Sequence, residues 1–300
     1  MLGQPLKENA IAIVVNQDFA RYAKTLINSI NKNWVNHPPI LLFLTPDVDR
    51  ELEDFFSLLP KVTPKRFNPQ EFEYRELLVD KNEKFESKSF NDAGFFIVNF
   101  WSNLFSEYNN ILVLDADMLV LKDLSALMED DSFLGISAAN ERILPVFSFN
   151  RPLLKKSFGL ANAYFKALTM GIFLPPFASM NSGVLRIGPK DRTPDKYRAL
   201  LKILKEFRAS TASDQEIIYL WMQKFNKPLS FDFRMNFQAR FFNAIENNDI
   251  PIRFRRKIIE ASQDVHILHF NGAKPDNPDF LHHPWTKDRH DLVALFNSYS

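Results

Sequence analysis

The chain has 300 residues, 46% of them hydrophobic and 24% charged, with 37 basic against 36 acidic side chains. That balance leaves no electrostatic footprint for nucleic acid, and the absence of cysteine excludes disulfides, thiolate catalysis and cysteine-ligated zinc. The length admits one large domain or two small ones at ~150 residues each, and the 30 phenylalanines read as core, since an aromatic ligand platform needs particular positions rather than an excess.

The opening stretch MLGQPLKENAIAIVV has neither the basic region nor the longer apolar run of a signal peptide, and nowhere do ~20 apolar residues run together. A cytoplasmic protein is the simplest reading, and peripheral membrane contact through an amphipathic patch is compatible with it. IAIVV, Ile11 to Val15, reads as a buried strand. Asp18 then caps a helix whose Ala20, Ala23, Ile27, Ile30 and Trp34 recur every three or four residues. Tyr22 and Lys24 fall off that stripe, which predicts surface positions. ILLFL, from Ile40 to Leu44, is a second buried strand. A helix follows around Glu51 to Leu59, then a short strand near Lys61 to Phe67 and a helix from about Asp92 to Phe105.

Next comes ILVLDADMLVLKDL, Ile111 to Leu124, an apolar run ending in two acids one residue apart. On a strand Asp115 and Asp117 project to the same side, with Ala116 facing away. Their repulsion is tolerable on a solvated turn, or where a divalent cation sits between them. Strand, helix, strand, helix, strand in this order predicts an α/β fold, a mostly parallel sheet with helices on its faces. Ligands of such sheets gather at the carboxyl ends of the strands, where the acid pair lies.

From Asn140 to Ser179 prolines and aromatics break the periodicity, and the segment reads as an excursion over the sheet with one helix near Leu160 to Leu168. Regular signals return at SGVLRIG, in helices near Pro194 to Phe207 and Asp214 to Phe225, and in a last strand, VHILHF, from Val265 to Phe270. No repeat or low-complexity linker divides the chain, so residues 1–300 read as one domain.

VLDADMLVLKDL, MNSGVLRI at Met180 to Ile187, SDQEIIYLW at Ser213 to Trp221 and HFNGAKPD at His269 to Asp276 together resemble glycosyltransferase family 8, as does the opening VVNQDFARYAKTLINSI. The resemblance spans nearly the whole chain in the right order. A lone DxD carries little, because acids after a strand are common turn and cap residues, whereas four ordered motifs are specific.

The resemblance implies a GT-A fold, a UDP-sugar donor, retention of anomeric configuration, and Mn²⁺, with Mg²⁺ as the alternative, held by Asp115, Asp117 and His269. Such a cation would neutralise the diphosphate leaving group. Alone, His269 reads as a core or surface histidine; its place in HFNGAKP makes it the ligand. His266, an odd number of residues away, faces the other side of the strand. Gly272 would allow close backbone approach to phosphate and Lys274 would add a positive charge there. Relatives often show KPW, whereas this chain has Lys274, Pro275 and Asp276, a departure that bears on the packing just beyond the lysine.

Asn16 and Phe19 match positions at the nucleobase end, where relatives carry Asn and Tyr; Phe19 stacks on uracil or serves as core, and lacks a hydroxyl. A basic residue usual in the helix before DxD is replaced by Val98 or Asn99. Asn181, Asp214 and Gln215 match positions that contact the transferred sugar. Gln215 is a poor nucleophile, which favours same-face attack, with Asp214 on sugar hydroxyls and Gln215 and Asn181 stabilising the anomeric charge. For Asp214 a helix N-cap is a compatible structural role. No Tyr lies between Tyr219 and Tyr299, so self-glucosylation is not expected. A nucleotidyltransferase would need a Gly-rich loop after the first strand, where VVNQDFARY has none. A binding protein of the same fold without turnover would not need the acid pair, His269 and Lys274 together. The acceptor, whether glycan, lipid or protein, is not legible, although residues 140–179 are expected to shape its site.

Overall fold

Apolar runs too continuous for a half-solvated strand form the middle of the central sheet, as strands covered on both faces must. The structure is a computed structural model that describes residues 8–77, 88–130, 133–137, 165–172, 180–207, 214–250, 252–272 and 274–300, apart from the side chains of 88–91, 136, 137 and 253. Strands β1 (Glu8–Val15), β2 (Ile40–Leu44) and β3 (Val62–Arg66) are parallel, and β1 also pairs in parallel with β4 (Tyr108–Leu114). Beyond β4 the direction reverses. There β7 (Met180–Ile187) runs antiparallel to both β4 and β6 (Leu134–Ser137), and β8 (Leu229–Ser230) pairs with β6 in parallel. The seven strands stand in the order β3-β2-β1-β4-β7-β6-β8. A smaller sheet sets β10 (Ile267–His269) between β5 (Met118–Val120) and β9 (Phe237–Gln238).

Alternation along β1 divides the core. Ile11, Ile13 and Val15 pack against Ala20, Ala23, Leu26, Ile27 and Ile30 of helix α1 (Ala20–Asn33). Ala10 and Ala12 face the other way, and their small side chains leave room for Phe95, Phe96, Phe100 and Trp101. The phenylalanines are indeed core: Phe67 and Phe96 lie 4.1 Å apart between ring centroids, and Phe43 touches Phe96, Phe100 and Phe105. Each fully buried ring stabilises the fold by about 1.5–3 kcal/mol. The same layer includes Leu200, Ile203, Leu204 and Phe207 of α5 (Pro194–Phe207) and Ile217 to Met222 of α6 (Asp214–Lys224).

Three local readings need correction. The cap before α1 is Asn16, whose side chain accepts from Phe19 N at 3.2 Å at the start of a 3-10 turn, Gln17–Phe19; Asp18 is exposed. Tyr22 is buried, because its hydroxyl finds an acceptor in Asp276 at 2.6 Å and so loses nothing by leaving water. After helices α2 (Arg50–Ser57) and α3 (Glu73–Leu77), the helix read from Asp92 to Phe105 is an α-helix, α4 (Lys88–Phe96), that tightens into 3-10 turns at Ile97–Trp101 and Asn103–Phe105. Between those turns Ser102 is extended and its hydroxyl accepts from Leu104 N. The excursion at 140–179 lies outside the described residues except for 165–172, of which 165–169 are helical. Among the described residues no helix is long and apolar enough to cross a membrane.

Candidate active site

The acid pair closes β4. Asp115 follows Leu114 and donates its N–H to Gly183 O at 2.9 Å, while Asp117 O accepts from Phe270 N at 3.0 Å. The two acids therefore sit on a tight turn clamped between β7 and the end of β10, rather than on a strand as alternation had it. Gly183 is what lets that turn lie so close: a Cβ there would stand 2.8 Å from Asp115 Oδ2 and 2.5 Å from Met118 Cε.

His269 arrives by register. In the antiparallel β5–β10 pair it stands opposite Met118, one residue beyond Asp117. Its Nε2 lies 3.3 Å from Asp117 Oδ1 and 3.7 Å from Asp115 Oδ2, and the three ligand atoms all fall within 4.8 Å of one another. His266 points elsewhere, with Nε2 3.3 Å from Asp264. Asp117 and His269 are buried, whereas 41% of the Asp115 side chain stays exposed, so the cluster opens on the Asp115 side.

Lys274 joins the group by bonding Asp117 Oδ2 and donating to Phe270 O at 2.9 Å. Gly272, at φ +92°, makes the turn that brings the chain round, a conformation that any side chain would strain. The Lys274 ammonium also lies 5.3 Å from the Phe19 ring centroid. Asn16 and Phe19, at the carboxyl end of β1, thus adjoin the acid pair at the end of the neighbouring β4. Asp276 explains the departure from KPW. It accepts from Tyr22 and forms an ion pair with Arg21 at 2.7 Å, tying the Lys274 turn to α1 through charge rather than through a packed indole.

On the other flank, Asn181 Oδ1 accepts from Gly183 N at 3.0 Å, and Asn181 Nδ2 donates to Gln215 Oε1 at 3.4 Å. Asp214 begins α6, where Ser182 bonds its carboxylate. Two contacts were not foreseen from the sequence: Ser182, and buried Asn236, which bonds both Asn181 and His269. For Asn236 the available signal was a lone polar residue between Met235 and Phe237. Val98 and Asn99, which stand where a basic residue is usual, supply no charge to the site. Both are fully buried, and Asn99 bonds Phe96 O and the Tyr197 hydroxyl.

Electrostatics mark the cluster as short of positive charge. Asp115 moves up to about 6: the protein packed around it withholds solvent even though part of its side chain stays exposed, and Asp117 adds to this, against the pull of His269 and Lys274. Burial works on Asp117 in the same upward direction, but the His269 and Lys274 contacts outweigh it and hold it well below the usual range. Asp214 rises to about 7, through burial and then the charge of Asp115. A hard cation with two carboxylates and one imidazole fits this donor set and removes the repulsion.

No curated protein sequence matches the chain. Among solved structures it resembles the galactosyltransferase LgtC in complex with donor and acceptor sugar analogues, with TM-score 0.62 and 15% identity over 96% of this chain and 95% of that one. It is also similar to the bifunctional glycosyltransferase WbbM (TM-score 0.62, 15% identity, covering 100% of this chain but 53% of WbbM) and to mouse xyloside xylosyltransferase 1 (TM-score 0.56, 13% identity, covering 88% and 98%). The chain thus spans about half the length of WbbM. These likenesses establish the GT-A fold. The model of the family described as glycosyl transferase family 8 matches residues 10–276, a range that contains every element of the site described above, and the chain belongs to that family.

Proposed function

We propose that the chain is a divalent-cation-dependent, retaining hexosyltransferase that takes its sugar from a UDP-sugar and passes it to a hydroxyl of a glycan, lipid or protein. The observation that carries this reading is the convergence of Asp115, Asp117 and His269 beyond the carboxyl end of β4, with Asn181, on the neighbouring β7, bonded to Gln215.

Asp115, Asp117 and His269 would hold the cation, Mn²⁺ ahead of Mg²⁺ because an imidazole stands among the oxygens. When bound, it supplies the positive charge that lets a diphosphate leave. Lys274 adds an ammonium to the same leaving group, and the turn at Gly272 brings backbone close to it. Asn16 and Phe19 serve the nucleoside end, Phe19 by stacking. Asp214 holds sugar hydroxyls. Gln215 and Asn181 turn amide dipoles toward the charge that develops at the anomeric carbon. An amide lacks a readily formed anion, so the acceptor attacks from the face the diphosphate leaves, and its proton passes to a phosphate oxygen. Residues 140–179 are assigned to the acceptor side of a single domain.

Thermal-shift screening of nucleotide sugars with and without Mn²⁺ tests the reading. A UDP-hexose should raise Tm only when Mn²⁺ is present, since a ligand that binds the folded state alone stabilises it by mass action. If no UDP-sugar shifts Tm at saturating Mn²⁺, the reading fails.

A further inference from the structure

The polarity of every amide and ring in this site follows from one backbone group. Gly183 N is a donor by necessity, so the Asn181 atom 3.0 Å away is its carbonyl oxygen. Asn236 approaches that same oxygen at 2.7 Å and must present its NH₂ there. Its own oxygen therefore faces His269 Nδ1 at 2.9 Å, and that nitrogen must carry the proton. In the neutral ring that a metal requires, the remaining nitrogen, Nε2, keeps its lone pair and points at Asp115 and Asp117. On the far side, Asn181 has its NH₂ left to meet Gln215 Oε1.

We infer that Asn236 is a positioning residue that holds His269 as the Nδ1–H tautomer, with Nε2 aimed at the metal site, and at the same time locks the Asn181 amide that faces Gln215. The amide orientations and the Nδ1 proton stand on the hydrogen bonds alone, while the free Nε2 and its use in metal binding rest on the cation site proposed above. Asn236 is 1% exposed, so water offers neither of its bonds a substitute. The two bonds have different requirements. The one to His269 needs only an acceptor, and the one to Asn181 needs a donor.

Two substitutions separate them. Asn236→Ala removes both bonds; Asn236→Asp keeps an acceptor for His269 but offers Asn181 no proton. Three quantities are measured on each full-length variant: the His269 tautomer in the metal-free protein at about pH 8 by long-range ¹H–¹⁵N NMR, Mn²⁺ affinity by titration calorimetry, and UDP-sugar hydrolysis. The parent should show a single Nδ1–H tautomer. Asn236→Ala should mix the tautomers and weaken Mn²⁺ about 10–100-fold, the range typical for loss of a group that orients a metal ligand. Asn236→Asp should keep one tautomer and bind Mn²⁺ within about threefold of the parent or tighter, yet lose turnover. An unchanged tautomer and Mn²⁺ affinity in Asn236→Ala overturns the inference, as does a loss of Mn²⁺ in Asn236→Asp equal to that in Asn236→Ala. If Asn236→Ala does not fold by circular dichroism, the Asn236→Asp spectra decide: an Nε2–H tautomer there overturns it. A parent that binds no Mn²⁺ sinks the cation reading alone, because the tautomer is read without metal.

Discussion

The Lys274 ammonium sits on the Asp117 carboxylate, whose other oxygen lies 3.3 Å from His269 Nε2. Lys274 thus acts as an internal counter-ion where a cation would bind, and the two compete for one carboxylate. Lys274→Met should therefore tighten Mn²⁺ binding in the absence of nucleotide, on the order of tenfold, because a neighbouring positive charge is gone. The same change should weaken UDP binding in the presence of Mn²⁺. Calorimetric titration measures both, and equal Mn²⁺ affinity in parent and variant would remove Lys274 from the electrostatics of the site.

The metal cluster makes a second, more direct expectation. Asp115→Asn, Asp117→Asn and His269→Ala each delete a ligand, and each should weaken Mn²⁺ by more than the ~10–100-fold that loss of a supporting group costs. His266→Ala should leave Mn²⁺ affinity unchanged and cost less than about 1 kcal/mol, because it gives up only a part-exposed contact to Asp264. Reversed behaviour of the two histidines would mean that the β5–β10 register is wrong.

Much of this was legible in the chain because it rests on local patterns. Continuous apolar runs marked β1, β2 and β4, helical spacing marked α1 and α5, and the late histidine stood in a recognisable string. What escaped depends on distant partners. Tyr22 lies off the apolar stripe of α1 and becomes interior because Asp276, 254 residues away, accepts a hydrogen bond from its hydroxyl. The strands β5, β8 and β9 have two or three residues each, too few to show a period, and exist through their pairing. Asn236 carries no motif of its own. Its importance comes from standing between Asn181 and His269, which meet only in the folded chain.

The Tyr22–Asp276 contact gives a stability prediction. Asp276→Ala removes one hydrogen bond and a largely exposed ion pair to Arg21, which should cost about 1–2 kcal/mol in denaturant melts. Because Asp276 sets the Lys274 turn through Tyr22 and Arg21 rather than through the acid pair, Mn²⁺ affinity should change by less than about threefold. A large Mn²⁺ defect with unchanged stability would contradict this division of labour.

Asp214 supplies the pH dependence. Its folded-state pKa of about 7 lies above the ordinary 3.8, so the folded chain holds a proton that the unfolded chain releases first. The resulting stability is fully present below about pH 4 and is lost as pH rises toward 7. Asp214→Asn cannot titrate, so in metal-free protein its stability relative to the parent should climb over that window. Urea melts at several pH values read the difference, and saturating Mn²⁺ should narrow it by offsetting the Asp115 charge. A difference constant with pH would mean that Asp214 is solvated.

The last prediction separates holding a sugar from breaking its bond. If Asp214 grips sugar hydroxyls, Asp214→Asn should lose transfer and donor hydrolysis together, while UDP, which has no sugar to grip, binds with Mn²⁺ nearly as before. Gln215→Ala should instead lower kcat far more than donor affinity, because a dipole aimed at developing charge acts chiefly in the transition state. Removal of one well-placed dipole costs on the order of a hundredfold. The Asn181 contact to Gln215 Oε1 occupies one lone pair of that oxygen and leaves the other for the anomeric carbon. Attack on the face the diphosphate leaves requires an α-linked product from an α-linked donor, which the anomeric proton coupling of fresh product reports by NMR. A β-linked product would show that the acceptor came from the opposite face, and the roles of Gln215 and Asn181 would then have to be reassigned even with every metal ligand correct.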